Sequence, residues 1–278
     1  SVTADQFIVH ASGLNQGHGV ITAADADFGD NFTQAVGSTI NLSDSMTGNL
    51  ASAGTINIAG DSGFTLTDGK LTNNGVLTAT EKVTIGDGGK LAHVSATEAT
   101  FTDLDVLGGD VMVNRDTSLV GNNLRIELAS GDLVGLTNYG TVDFDTIRVA
   151  LGTVKGTGTL GSEDSTILVG VGGHVIQGAV IANEFTNLGE VRADVTVNHG
   201  TNVGTVNAGD LTITGVNGTL TNTGTISTTG QANVAGLVNE NSMTFGNGAT
   251  MTGTNVNHGS IVVNGDAFNV ASGMTTVE

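Results

Sequence analysis

The sequence contains no cysteine, no proline and no tryptophan in 278 residues, and it has one tyrosine, Tyr139. The absence of cysteine excludes disulfide bonds and leaves the redox environment open. Proline usually makes up about 5% of a chain, and it cannot donate a hydrogen bond to a strand ladder. Its absence favours a fold in which nearly every backbone N–H joins such a ladder. No window carries the apolar stripe and caps of an amphipathic helix.

Cations are also scarce, because 8 lysines and arginines stand against 27 aspartates and glutamates, for a formal net charge of −19. Such a surface repels nucleic-acid phosphates and anionic membranes, and we therefore exclude nucleic acid as a partner. No apolar run reaches the length of about 18 residues that a membrane helix needs, so the sequence predicts no membrane span.

Glycine, by contrast, is abundant at 43 residues, and it recurs within one short phrase. The phrase is an apolar residue, threonine, asparagine, any residue and glycine, as in residues 220–224. Its clear and looser copies contain Asn73, Asn138, Asn187, Asn202, Asn222, Asn239 and Asn257. The last five asparagines are separated by 15, 20, 17 and 18 residues. Recurrence at a nearly fixed period indicates a repeat architecture.

Between these phrases, apolar and polar residues alternate over short stretches. Val206 and Ala208 alternate with polar neighbours, and Leu211 and Ile213 do the same. This period of two predicts strands with one buried face. Strands this short become stable when each repeat stacks on the next, about 4.8 Å away. The sequence therefore predicts an all-β protein, a single parallel β-helix (β-solenoid) of about 15 short coils of roughly 18 residues.

In this fold the asparagines and glycines of the phrase are predicted to have structural roles. Glycine permits a positive φ at a turn without steric penalty. Asparagine tolerates the left-handed region and can hydrogen-bond its own local backbone, and stacked asparagines can form a hydrogen-bonded ladder from coil to coil. The glycines assigned to the turns are Gly75, Gly140, Gly189, Gly204, Gly224 and Gly259.

We expect residues 1–278 to form one continuous domain, because no linker interrupts the repeats, with residues 1–35 less regular and open to terminal strand exchange. The start at Ser1, without a basic and apolar leader, is typical of a mature chain and equally of a chain cut at an arbitrary boundary. Neither end shows a capping helix or a charged terminal coil, so both ends are candidates for assembly between molecules. The candidate residues are Phe7, Ile8, Val9, Phe268 and Val270.

Two pairs of aspartates have the i, i+2 spacing that places both side chains on one face of a strand. These are Asp103 with Asp105 and Asp143 with Asp145. Polysaccharide-cleaving β-helices need paired acids, but alternating aspartates on a solvent-exposed face are ordinary in an acidic protein. We favour the second interpretation, because no supporting base or cleft is visible. We therefore assign no catalytic residue and expect the protein not to be an enzyme.

Asp25, Asp27 and Asp30 lie close enough in sequence to offer oxygen ligands to Ca²⁺. Their spacing lacks the glycine and the distal glutamate of an EF-hand loop, so an acidic loop is the preferred interpretation and Ca²⁺ the alternative. None of the six histidines pairs with another at the spacing of metal ligands. No other cofactor and no metal-ligand set is expected.

The repeated Thr-Asn-x-Gly-Thr phrase, the lack of cysteine and proline and the Thr/Asn/Gly-rich coils resemble the β-helical passengers of secreted bacterial surface and matrix proteins, such as autotransporter-like adhesins and haemagglutinin-repeat exoproteins. The resemblance implies a β-helix at the bacterial cell surface or outside the cell, and it transfers no functional residue. The preferred hypothesis is an extracellular subunit that assembles end to end with copies of itself into a filament or biofilm-matrix fibre. The alternative is an adhesin passenger that binds cell-surface polysaccharide or protein, and a polysaccharide-degrading enzyme ranks third.

Overall fold

A computed structural model describes residues 1–9, 13–15, 17–94, 98–215, 218–265, 267–270 and 275–277. Over these residues the protein is all-β and contains strands and turns without a helix. The strands form a parallel β-solenoid of about 13 turns. The predicted fold class is therefore confirmed, with a turn count close to the predicted 15. Within the described ranges, no helix is long and apolar enough to cross a membrane.

The strands before residue 130 are β1 (Val2–Ile8), β2 (Gly13–Asn15), β3 (Val20–Asp27), β4 (Phe32–Gln34), β5 (Thr39–Ser52), β6 (Thr55–Ile58), β7 (Phe64–Asn73), β8 (Val76–Ile85), β9 (Lys90–His93), β10 (Glu98–Val106), β11 (Asp110–Val113) and β12 (Ser118–Glu127). Those that follow are β13 (Val134–Asn138), β14 (Thr141–Gly156), β15 (Thr159–Leu160), β16 (Thr166–Asn187), β17 (Glu190–Asn202), β18 (Thr205–Ile213), β19 (Leu220–Asn222), β20 (Thr225–Thr228), β21 (Ala232–Asn239), β22 (Ser242–Phe245), β23 (Ala249–Asn257), β24 (Ser260–Val263), β25 (Phe268–Val270) and β26 (Thr275–Val277).

The chain divides into two compact units. The first contains residues 1–129 and 133–144, and the second contains residues 130–132 and 145–278. The single continuous domain stays a prediction.

Apolar side chains stack in columns in the first unit, because strands one turn apart pair in parallel and in register. Ile40 lies opposite Ile21 on one side and opposite Ile56 on the other. The column continues through Leu77 and Ala99. All five side chains are buried. The period of two in the sequence thus directs alternate side chains into the coil, as predicted.

The second unit follows the same rule. Val191 pairs with Val175 and Val206, Val206 pairs with Ile226, and Ile226 pairs with Met243 one turn further on. These side chains are also buried. Burial of such columns supplies most of the stabilisation, at about 25 cal/mol per Å² of apolar surface removed from water.

Candidate functional site

Five asparagines of the repeated phrase form a continuous hydrogen-bonded ladder inside the second unit. Each Nδ2 donates to the Oδ1 of the asparagine one turn further on. The four bonds are Asn187 to Asn202 at 2.8 Å, Asn202 to Asn222 at 2.8 Å, Asn222 to Asn239 at 2.8 Å and Asn239 to Asn257 at 2.6 Å. The first four side chains are fully buried, and Asn257 is 6% exposed.

Each donor amide in the ladder also reaches the backbone of the next turn. The Nδ2 of Asn222 donates to the carbonyl oxygen of Ser242 at 3.2 Å, and Asn187, Asn202 and Asn239 make the equivalent bond. A buried amide without partners would cost about 1–3 kcal/mol, so this complete pairing is what allows a polar column in the core. The ladder joins neighbouring turns and leaves the amides no exposed surface on which to bind a ligand.

The first unit also contains a buried polar column, and its side chains are mixed. Asn73 lies opposite Ser52 and His93 in the strand register, and Ser52 lies opposite Gln34. The Nδ2 of Asn73 is 3.0 Å from Nδ1 of His93, and Ser52 Oγ donates to Gln34 Oε1 at 2.7 Å. All four are fully buried, as is Asn138 further along the column.

The recurrence of asparagine in the sequence does not identify three residues of the first unit's polar column, which are Gln34, Ser52 and His93. Each is the third residue of a triplet that begins with an apolar residue, at residues 32–34, 50–52 and 91–93. The middle residue of each triplet is threonine or alanine. This pattern of an apolar, a small and a hydrogen-bonding residue is the signal that could have found them.

The positive φ predicted for the phrase is wrong, whereas the predicted bond from asparagine to its own local backbone is confirmed: the Oδ1 atoms of Asn73, Asn138 and Asn187 each accept the N–H of the glycine two residues further on. Over the described residues, positive φ outside glycine occurs at Asp68 and Asp116, so the ladder asparagines do not adopt the left-handed region. The glycines Gly75, Gly140, Gly189, Gly204, Gly224 and Gly259 do not have positive φ either.

These glycines are required because of close backbone packing. A Cβ on Gly224 would lie closer than 3.0 Å to the carbonyl oxygens of Gly204 and Val203, one turn away. A Cβ on Gly204 would overlap the carbonyl oxygen of Gly189 in the same manner. The corner of each turn therefore stacks directly on the corner of the previous turn, and a side chain there would separate the two turns.

The candidate assembly residues at the N-terminal end differ in exposure, because Phe7 and Val9 are half-buried and Ile8 is exposed. The Phe7 ring packs inward, with its centroid 5.9 Å from the centroids of both Phe28 and Phe32. Ile8 is 53% exposed, and the backbone N–H of Val9 donates to Asp27. Their strand, β1, pairs in parallel with β3 of the same chain, so Phe7 contributes to the core of the first turn.

At the C-terminal end, Phe268 and Val270 lie on β25, which pairs with β23, and they are 48% and 49% exposed. Phe268 lines an apolar cavity of about 290 Å³ together with Met251, Ile261 and Val263. The described part of the last turn therefore presents apolar side chains that the preceding turns bury.

The paired aspartates have ordinary electrostatic partners. Asp103 Oδ1 accepts a hydrogen bond from Asn123 Nδ2 at 2.7 Å. Asp105 is largely buried, and its Oδ2 lies 3.6 Å from Lys82 Nζ and 3.9 Å from Arg125 Nη1. Of the second pair, Asp143 is half-buried in the first unit and Asp145 is exposed in the second.

The predicted acidic loop near the N-terminus does not gather its carboxylates. Asp25 Oδ1 accepts a hydrogen bond from Ser45 Oγ at 2.6 Å, and Asp27 Oδ1 accepts one from the Gly29 N–H at 2.9 Å. Asp30 is exposed. In the described part of the chain, no group of three or more acidic or histidine side chains is arranged to hold a metal ion.

The surroundings of Glu190, in the second unit, shift the pKa of its carboxylate. Its Oε1 accepts a hydrogen bond from Arg192 Nε at 2.7 Å, and its Oε2 lies 3.3 Å from His174 Nδ1. The hydrogen bond from Arg192 lowers the pKa of Glu190 from its ordinary value, partial burial opposes this, and His174 adds to the lowering.

Glu190→Gln is expected to make stability less dependent on pH in the acid range. Because the folded-state pKa is lowered, the carboxylate stabilises the fold above its unfolded-state value near 4.5, and this contribution is lost as the pH falls below that value. The difference at neutral pH should stay below about 1 kcal/mol, since the pair is partly exposed. Urea unfolding between about pH 3 and pH 7 measures it. A stability difference between variant and wild type that is constant across this pH range would contradict the prediction. The control is Glu184→Gln, which makes the same change at an exposed glutamate.

The fold and the stacked polar column define the chain as a β-solenoid repeat protein. Comparisons with protein-family models, with curated proteins and with solved structures found no match.

Proposed function

We propose that the protein is an extracellular structural subunit that assembles end to end, through its first and last turns, into a filament or matrix fibre. The observation that carries the proposal is the apolar surface of the last turn. Val262, Phe268 and Val270 are each 45–49% exposed there, beside the apolar cavity of about 290 Å³. The likeness of the repeated phrase to bacterial surface passengers supports an extracellular location.

The apolar surface of the last turn fits the first turn of a second copy of the chain. β1 pairs with β3, and Val2 and Ile8 on β1 are 48% and 53% exposed. The opposite edge of β1 can accept another parallel strand, as every internal strand of a solenoid does. A contact between two different surfaces of the same molecule repeats without closing, and it therefore produces a filament.

Few charged side chains lie on the strands of this contact, despite the net charge of −19. At the first turn β1 carries Asp5, whereas β24 and β25 of the last turn carry no charged side chain. Asp266, between β24 and β25, lies outside the described residues. Stacking β1 on the last turn therefore brings no carboxylate of β24 or β25 against Asp5.

Phe268→Asp is expected to abolish assembly while leaving the subunit folded. The side chain is half exposed, so a carboxylate costs little in the free subunit, but burial in an interface would leave it unpaired at a cost of several kcal/mol. Electron microscopy and light scattering of the purified protein measure assembly directly. We expect filaments for the wild type and single subunits for the variant.

The matched control is Val171→Asp, which introduces the same charge at a valine of the second unit that is 81% exposed. This variant should assemble like the wild type. Monodisperse wild-type subunits under every salt and Ca²⁺ condition would refute the proposal. Equal assembly of wild-type and Phe268→Asp protein would exclude the last turn as the interface.

A further inference from the structure

The second unit carries a lateral groove of about 420 Å³. This volume lies within the range of about 300–1,000 Å³ that is typical of ligand sites. The half-buried Ile181 supplies apolar side-chain surface, whereas Ala182 and Val197 border the groove with their side chains buried in the core. The remaining lining groups are carboxylates, amides and hydroxyls from the loop before β16 and from three successive turns.

The acidic rim of the groove is held in place by its own loop. Glu163 and Asp164 are exposed at the tip of a turn between β15 and β16. The Ser165 N–H donates to the Ser162 carbonyl at 3.1 Å, and the Ser165 hydroxyl oxygen accepts the Ser162 N–H at 3.0 Å. The Ser165 carbonyl also accepts the N–H of Asn183 at 2.8 Å, which ties the loop to the opposite wall.

The opposite wall is a row of polar side chains from consecutive turns. Asn198 Nδ2 donates to Asn183 Oδ1 at 3.0 Å, and Thr214 Oγ1 donates to Asn198 Oδ1 at 3.2 Å. Thr196 lies beside this row and opposite Ile181 in the strand register. Because the turns repeat about every 4.8 Å, the wall presents ordered hydrogen-bonding groups along a line.

The chemistry of the lining excludes several classes of ligand. Two carboxylates repel anions. Calcium needs six to eight oxygen ligands, whereas the Oδ1 atoms of Asn183 and Asn198 already accept hydrogen bonds within the wall. Among the described residues, no aromatic side chain lines the groove, so they offer a flat hydrophobic ligand no stacking surface.

We propose that this groove binds an extended neutral glycan. Sugar hydroxyls would donate to the carboxylates of Glu163 and Asp164, and charge-assisted hydrogen bonds of this kind are the stronger ones. In the described residues, no lysine, arginine or histidine forms an ion pair with either carboxylate, so both can accept from a ligand. The half-buried Ile181 would contact the C–H face of a ring. The proposal is independent of end-to-end assembly, because no residue of the last turn lines the groove.

Isothermal titration of the full chain with neutral hexasaccharides tests the proposal. The probes are cellohexaose, maltohexaose, laminarihexaose and mannohexaose, with CaCl₂ and hexalysine as separate arms. We expect at least one hexasaccharide to bind with a Kd below about 1 mM. The double variant Glu163→Gln, Asp164→Asn should weaken that binding by about tenfold or more, since it removes charged acceptors. Both residues are exposed, so the variant should fold.

A second variant tests the opposite wall and has a matched control. Thr196→Val should weaken binding of the same hexasaccharide, because it removes a hydroxyl that lines the groove. Thr250→Val changes a half-buried threonine on β23 that does not line the groove, and binding should stay as in the wild type. Three results would overturn the proposal: no hexasaccharide binds, only Ca²⁺ or hexalysine binds, or the groove variants bind like the wild type.

Discussion

Gly224→Ala is expected to lower the free energy of unfolding by about 3–5 kcal/mol, because overpacking that displaces backbone exceeds the usual cost of about 1–3 kcal/mol. All three nearest neighbours of the added methyl group are backbone atoms, in Gly204 and Val203. No side-chain rotation can make room, so the two turns must separate and lengthen the ladder bonds between them. Urea unfolding followed by circular dichroism measures the loss, and hydrogen exchange locates it in the turns that flank the substitution.

Gly17→Ala separates this steric effect from the conformational preference of glycine. Gly17 has a φ of +66°, and a Cβ there meets no described atom within 4 Å. Its replacement should cost only about 1–2 kcal/mol, the usual penalty for an L-residue in the left-handed region. If Gly224→Ala were no more destabilising than Gly17→Ala, close stacking of the turn corners would not be the reason for glycine in the phrase.

Asn222→Ala is expected to destabilise the second unit by about 2–4 kcal/mol, because it leaves several buried groups without partners at about 1–3 kcal/mol each. The substitution removes the acceptor of Asn202 Nδ2 and the donors to Asn239 Oδ1 and to the Ser242 carbonyl. The Nδ2 of Asn202 keeps its bonds to Gly204 and Thr225. The orphaned oxygen of Asn239 therefore accounts for much of the expected loss.

The control for the ladder is Asn233→Ala, an asparagine on β21 of the same unit whose side chain is exposed. Its replacement should change stability by less than about 0.5 kcal/mol, as for most surface sites. Comparable unfolding free energies for Asn222→Ala and Asn233→Ala would show that the buried amide column adds nothing to stability. In the polar column of the first unit, His93 lies opposite Asn73, so His93→Asn tests whether histidine and asparagine are interchangeable in such a column.

The sequence by itself determined the fold class and the position of the repeats. Alternation such as that around Val206 and Leu211 reflects only local strand geometry, since successive side chains on a strand point to opposite faces. The recurrence of asparagine every 15–20 residues likewise indicated which residues could stack between turns. The alternation is a local signal and the recurrence is a periodic one. Both can be recognised in the sequence without knowing which residues contact each other between turns.

Tertiary structure alone decided why glycine occurs at Gly224 and which other side chains join the polar column. The carbonyl oxygen that excludes a side chain there belongs to Gly204, 20 residues earlier, so the constraint depends on how closely two turns pack. Gln34, Ser52 and His93 enter the column because they share its register, although their side chains differ. The lateral groove has the same origin, since a loop beside β16 meets polar side chains of three turns only after the turns have stacked.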